Sequence, residues 1–136
     1  MYARSNPMHH LPQLFKALSE DIRLQMLALL FRHRELCVCE FERFLQLTQS
    51  KTSRHLRYLL HAGLVQDRRD GLWVYYRIAT PPNDDRRLVL NTLRQLLRDA
   101  PLPDIAKQLQ DMRAQRCQPS APVGPPAATA AAEMKS

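Results

Sequence analysis

The chain has 136 residues, 45% of them apolar, and carries a formal net charge of +7 with a pI near 9.8. That length suits one domain of roughly 100–150 residues, and the basic balance argues for a polyanionic partner, nucleic acid first. Only three cysteines, no apolar leader in MYARSNPMHHL and no apolar run near the roughly 20 residues of a membrane span argue against a disulfide scaffold and a membrane protein; a cytoplasmic location is expected.

Residues 1–10 read as a flexible arm. Leu11, Leu14, Phe15 and Leu18 then recur at helical spacing, and Ser19 is placed to cap a second helix from Glu20. Ile22, Met26, Leu27, Leu29 and Leu30 make that second helix apolar nearly all round, which puts it at the centre of the core. Residues 37–45 read as a third helix carrying Phe41, Phe44 and Leu45, and Thr48 caps a fourth. Over residues 49–62, an advance of about 100° per residue gathers Thr52, Leu56, Leu59 and Leu60 on one stripe, with Ser50, Lys51, Arg54, Arg57, Tyr58 and His61 mostly opposite. Gly63, able to take positive φ, ends it. VQDRRDGLWVYYRI then gives two β-rich runs around Asp70-Gly71, the pair that suits a type I′ hairpin.

After Pro81-Pro82, Asn83 caps a fifth helix bearing Leu88, Val89, Leu93, Leu96 and Leu97, and Ile105, Leu109 and Met112 mark a last one. The chain is thus read as one domain over 11–115, followed by a disordered Pro/Ala-rich tail over 116–136.

A short helix, the turn Gln46-Leu47-Thr48 and a longer helix with a basic outer face make a helix-turn-helix, and the hairpin beside it supplies a wing. The expected fold is therefore mainly α with a β-hairpin wing, a winged helix-turn-helix. Taken alone, residues 49–62 suit an ordinary solvated amphipathic helix; the order of turn, outward cations and hairpin favours the reading head. Lys51, Arg54 and Arg57 are suited to phosphates or guanine edges, Gln49, Ser50 and Ser53 to bases or phosphate near the helix start, and Arg68 and Arg69 to the groove beside the wing. No Gly-rich phosphate loop, no Cys-x-x-Cys on a βαβ unit and no Cys/His/acid set stands in the sequence, so neither an enzyme nor a catalytic cofactor is expected.

The stretch LCVCEFERFLQLTQSKTSRHLRYLLHAGLVQDRRDGLWVYYRI resembles the core of the ArsR/SmtB metal-responsive repressors. The likeness is carried by Ser50, Ser53, His55, Leu56, Gly63, Leu64, Val65, Arg69, Gly71, Tyr75 and Tyr76. FKALSEDIRLQMLALL resembles the family's first two helices, so the match spans residues 11 to 98. The resemblance implies a homodimer that binds double-stranded operator DNA when free and releases it when an inducer docks, and it adds His55 to the recognition residues. The stripe on 83–98, together with Leu11, Leu14, Phe15 and Leu18, is expected to bury against its two-fold mate.

LCVC sits where the family's arsenite- and antimonite-sensing site lies, which also forms part of a cadmium and lead site. Cys37 and Cys39 are the matching residues, and trivalent arsenic, inorganic or methylated, or antimony is the implied inducer, thiolates being soft donors. Positions two apart on a regular helix point about 200° apart, so both sulfurs can meet one ion only where the first turn is distorted. The third cysteine frequent in arsenite sensors, three residues after the second, is here Glu42. Cys117 is the remaining candidate third ligand, while a methylated arsenical needs only two thiols. Cadmium or lead would call for thiols from the N-terminal arm, where only His9 and His10 stand, a pair read as solvated. The family's histidine-bearing zinc site on the dimer helix is not expected, since 83–98 lacks histidine. Two further readings stay open: thiol oxidation or persulfidation, pairing one of the two with Cys117, and a pair of small buried hydrophobes.

Overall fold

The computed structural model describes residues 7–81 and 84–116. A first compact unit runs to Leu102 and a second begins at Pro103, whereas the sequence pattern predicts one domain over 11–115.

The first unit opens with α1 (Pro7–Ala17), so residues 7–10 are helical rather than part of an arm. Ser19 does not cap the next helix. Its hydroxyl donates to Lys16 O at 2.7 Å, closing α1 instead, and Glu20 is the N-cap of α2 (Asp21–Arg32) without a side-chain bond. Met26, Leu27 and Leu29 on α2 are completely buried and Leu30 nearly so. Each such side chain contributes about 1.5–3 kcal/mol of transfer free energy, which makes α2 the centre of the core as its composition requires.

The chain next enters a short strand that the sequence did not disclose, β1 (Leu36–Cys37), and only then α3 (Val38–Leu45). Two residues are too few for periodicity to announce a strand. Gln46, at φ 55°, ends α3 in the left-handed region, and Thr48 caps α4 (Gln49–His61), its Oγ1 accepting from Lys51 N at 3.2 Å. At the far end Leu64 N donates to Leu59 O (3.1 Å) and Gly63 N to Leu60 O (3.0 Å), with Gly63 at φ +79°. This pair of bonds is the Schellman arrangement, and glycine at its left-handed position carries no Cβ penalty.

The wing consists of β2 (Val65–Asp70) and β3 (Trp73–Ile78), antiparallel, with Asp70 opposite Trp73. The loop is therefore Gly71-Leu72, and only Gly71 has positive φ (+61°). That matches the type II′ pattern, glycine first, rather than the expected I′ turn at Asp70-Gly71, which needs positive φ twice. β1 adds to the other edge of β3, pairing Leu36 with Tyr76 and Cys37 with Tyr75, so the sheet order is β1-β3-β2.

α5 (Asp85–Leu96) is capped by Asp84, whose Oδ1 accepts from Arg86 N (3.0 Å) and Arg87 N (3.4 Å); Asn83, expected as the cap, lies outside the described residues. Of the expected dimer stripe, Leu14 and Leu93 are buried within the subunit. Phe15, Leu88 and Leu96 are 63%, 65% and 73% exposed, and Met8 joins them at 73%. The second unit is described over its helix α6 (Ala106–Arg116), and most of the expected tail, with Cys117, lies outside the described residues. Among the described residues no helix is long and apolar enough to cross a membrane.

Candidate nucleic-acid interface and adjoining thiol pair

α4 is held by its inner face: Thr52, Leu56 and Leu59 are fully buried, and Thr52 Oγ1 donates to Thr48 O at 2.7 Å. Gln49, Ser50, Lys51, Arg54 and Arg57 are exposed, and Ser53 is half-buried beside them. Lys51, Arg54 and Arg57 make no ion pair with any described residue. Three cations thus project from one face of a rigidly seated helix, the arrangement phosphate contacts need.

His55, expected among the recognition residues, is turned inward instead. It is 7% exposed, with Nδ1 3.1 Å from Arg23 Nη1. Burial pushes its pKa below the ordinary histidine value, and the positive charges of Arg23, Arg54 and Lys51 add to that against the opposing pull of Glu20.

The two wing arginines differ. Arg69 is exposed. Arg68 is gripped by Glu35, Nε to Oε2 at 3.1 Å and Nη2 to Oε1 at 2.7 Å, and its guanidinium lies 4.7 Å from the centroid of the Tyr75 ring. A bidentate pair of this kind restrains the side chain, so Arg68 ties the segment before β1 to the wing. Glu35 gave no signal in the sequence, because its contact with Arg68 spans 33 positions.

Cys37 and Cys39 come together: their sulfurs are 2.6 Å apart. The expected divergence of about 200° applies to two helical residues. Cys37 is not one of them. It is the N-cap of α3, in extended conformation at φ −90°, ψ 166°, so the bend from β1 into α3 brings both side chains to one side. Cys37 is buried and Cys39 half-buried. A capping box fixes the bend: Glu40, itself fully buried, accepts from Cys37 N at 2.8 Å through Oε1, while the Cys37 side chain faces the Glu40 amide. The Cys-x-x-Glu spacing is the usual Ser/Thr-x-x-Glu signature with sulfur in place of oxygen, and it marks the start of α3 in the sequence itself. Glu42, three residues after Cys39, is half-buried, and burial raises its carboxyl above the usual range. Among the described residues no three His, Cys, Asp or Glu side chains form a metal cluster. His10 is not solvated as expected; its Nε2 lies 3.0 Å from Oδ2 of the buried Asp85.

The model of the family described as "Bacterial regulatory protein, arsR family" matches residues 20–67. The chain is 52% identical over 67 residues to the arsenic resistance transcriptional regulator ArsR1 of Pseudomonas putida, covering 49% of this chain and 52% of that protein. It is 37% identical over 73 residues to the arsenical resistance operon repressor of Bacillus subtilis, covering 54% and 70%. Among solved structures, HlyU from Vibrio cholerae superposes with a TM-score of 0.57 at 30% identity, over 68% of this chain and 96% of that one. The chain spans little more than half the length of the three arsenic-resistance regulators that it matches at 46–52% identity.

Proposed function

The chain belongs to the arsR family of bacterial regulatory proteins, and from that premise we propose that it is a homodimeric repressor that leaves its operator when trivalent arsenic or antimony is bound by Cys37 and Cys39. The observation that carries this reading is the place of Cys37. One residue supplies half of a paired thiol site, the N-cap of α3 and the β1–β3 pairing opposite Tyr75.

In the DNA-bound state Lys51, Arg54 and Arg57 meet phosphate or guanine edges, Gln49, Ser50 and Ser53 serve the start of α4, and Arg69 serves the wing. Arg68 acts as a brace between Glu35 and Tyr75 rather than as a reader. Two copies join through the exposed apolar residues Met8 and Phe15 of α1 and Leu88 and Leu96 of α5, which places two α4 helices for half-sites about one helical turn apart or a multiple of it.

The adjacent thiolates suit a thiophilic trivalent ion, and Cys117 is the third donor for an inorganic one. Drawing Cys37 away from its cap position breaks its amide's bond to the Glu40 carboxylate and loosens the strand that joins the wing, so both DNA-facing parts are disturbed at once. A second reading rests on the same 2.6 Å approach: oxidation of the pair to an intrachain disulfide.

The test uses an operator selected from randomised duplexes. Release is titrated with arsenite, methylarsenite, antimonite, cadmium, lead, zinc and peroxide, on wild type and Cys117→Ser. Release by arsenite that weakens in Cys117→Ser while release by methylarsenite persists supports the reading with Cys117 as third donor. Release by peroxide alone, with a disulfide found by mass spectrometry, replaces it with the second reading.

A further inference from the structure

Arg23, on α2, is one of the few charged side chains in the interior, 7% exposed. Its Nε donates to Ala17 O at 2.7 Å and its Nη2 to Lys16 O at 2.9 Å, both carbonyls of the last turn of α1. Nη1 stands 3.1 Å from His55 Nδ1, and the guanidinium lies 4.2 Å from the centroid of the Tyr58 ring. His55 and Tyr58 both belong to α4. One planar cation therefore ties the end of α1 to the helix that carries the outward arginines.

A guanidinium has donors only, so Nδ1 must be the acceptor, and His55 is the neutral tautomer with its proton on Nε2. Protonating Nδ1 would point an N–H at a guanidinium. We propose that Arg23 is a positioning residue for operator binding, and that it holds α4 against the end of α1 only while His55 is neutral, so that acid loosens the protein's grip on DNA. This rests on the repressor reading above and adds a role for a residue outside the DNA-facing set.

The groups facing His55 are Arg23 from α2, Lys51 and Arg54 from α4 itself, and Glu20 before α2; burial and the three cations favour the neutral ring and only Glu20 opposes them. The native pKa thus lies below the unfolded value near 6.5. Unfolded chains take up the proton first, so the contact's contribution is complete above about pH 6.5 and is lost as the pH falls through the native value. The direction is diagnostic. An exposed histidine that gains charge on acidification would draw phosphate and strengthen binding.

Operator affinity is to be measured from about pH 7.5 to 5.5 at constant salt, the window in which histidine changes charge, on full-length wild type, His55→Asn and Arg23→Gln. Wild type is expected to weaken as the pH falls, by up to about tenfold per site, the change that one unit of pKa difference between free and DNA-bound protein gives. His55→Asn offers Oδ1 near the place of Nδ1 and does not titrate, so its affinity at pH 5.5 is expected to match its own at pH 7.5. Arg23→Gln is expected to bind weakly at both. Wild-type affinity that is flat or rises on acidification, or a His55→Asn slope equal to that of wild type, overturns the proposal.

Histidine 15N spectra of the DNA-free protein give a readout independent of DNA and of whether Arg23→Gln folds. The Nε2–H tautomer and titration below 6.5 are expected; titration at or above 6.5 overturns the clamp even where the operator is bound. A wild type that binds no selected duplex at any pH removes the repressor reading and this use of the clamp with it.

Discussion

Replacing Glu40 by alanine tests how the thiol pair is held. The side chain is fully buried and its Oε1 accepts from Cys37 N at 2.8 Å. Truncation leaves that amide in the interior without its acceptor, the Glu40 half of the capping box, which costs about 1–3 kcal/mol, before any collapse around the vacated space. Glu40→Gln keeps an acceptor oxygen at the same reach and is expected to lose about 1 kcal/mol or less. Urea unfolding of both variants beside wild type, followed by circular dichroism, measures the difference through the midpoint at constant slope. Because the cap seats Cys37, Glu40→Ala is also expected to form adducts with a dithiol-reactive arsenical at an altered rate while Glu40→Gln tracks wild type. Equal destabilisation by the two variants, or a loss below about 1 kcal/mol in the alanine variant, would refute the assignment of Glu40 as the clasp of the β1–α3 bend.

Other consequences can be measured on the same protein. Gly63→Ala puts a Cβ 2.7 Å from Arg86 Cδ at a φ of +79°; the left-handed penalty alone is about 1–2 kcal/mol, and because the added carbon also crowds the partner of the buried Asp84, denaturant titration is expected to show a loss at least that large. Leu88→Glu places a charge on the exposed α1–α5 face, and sedimentation is expected to find monomers that no longer bind a palindromic duplex; an unchanged dimer would remove that face from the interface. Arg54→Ala is expected to weaken operator binding by ~1–3 kcal/mol with loss of selectivity where it reads a base, seen by fluorescence anisotropy; affinity unchanged at several salt concentrations would dismiss α4 as the reader.

Helical periodicity was enough to find α2, α4 and α5, since each carries an apolar stripe long enough to count, and the Thr48 cap and the Gly63 stop were legible from residue type alone. The wing was legible through its β-rich runs, though the loop slipped by one residue because Asp-Gly and Gly-Leu can both occupy a two-residue turn and only the pairing register chooses between them. What stayed hidden was long-range. The pairing of β1 with β3 joins positions nearly forty residues apart, the Arg68–Glu35 brace spans 33, and the Arg23–His55 contact spans 32. Cys37 is the instructive case. Its sequence neighbourhood reads as helix, and only the added strand makes it a cap residue whose sulfur can approach that of Cys39.

On the proposed function, the two paired sulfurs govern release from DNA. The most direct measurement compares wild type with the Cys37→Ser/Cys39→Ser double variant on the selected operator, titrating arsenite and methylarsenite into the preformed complexes. The double variant is expected to stay on the duplex at inducer concentrations that clear wild type. Release of the double variant at the same concentrations as wild type would contradict it.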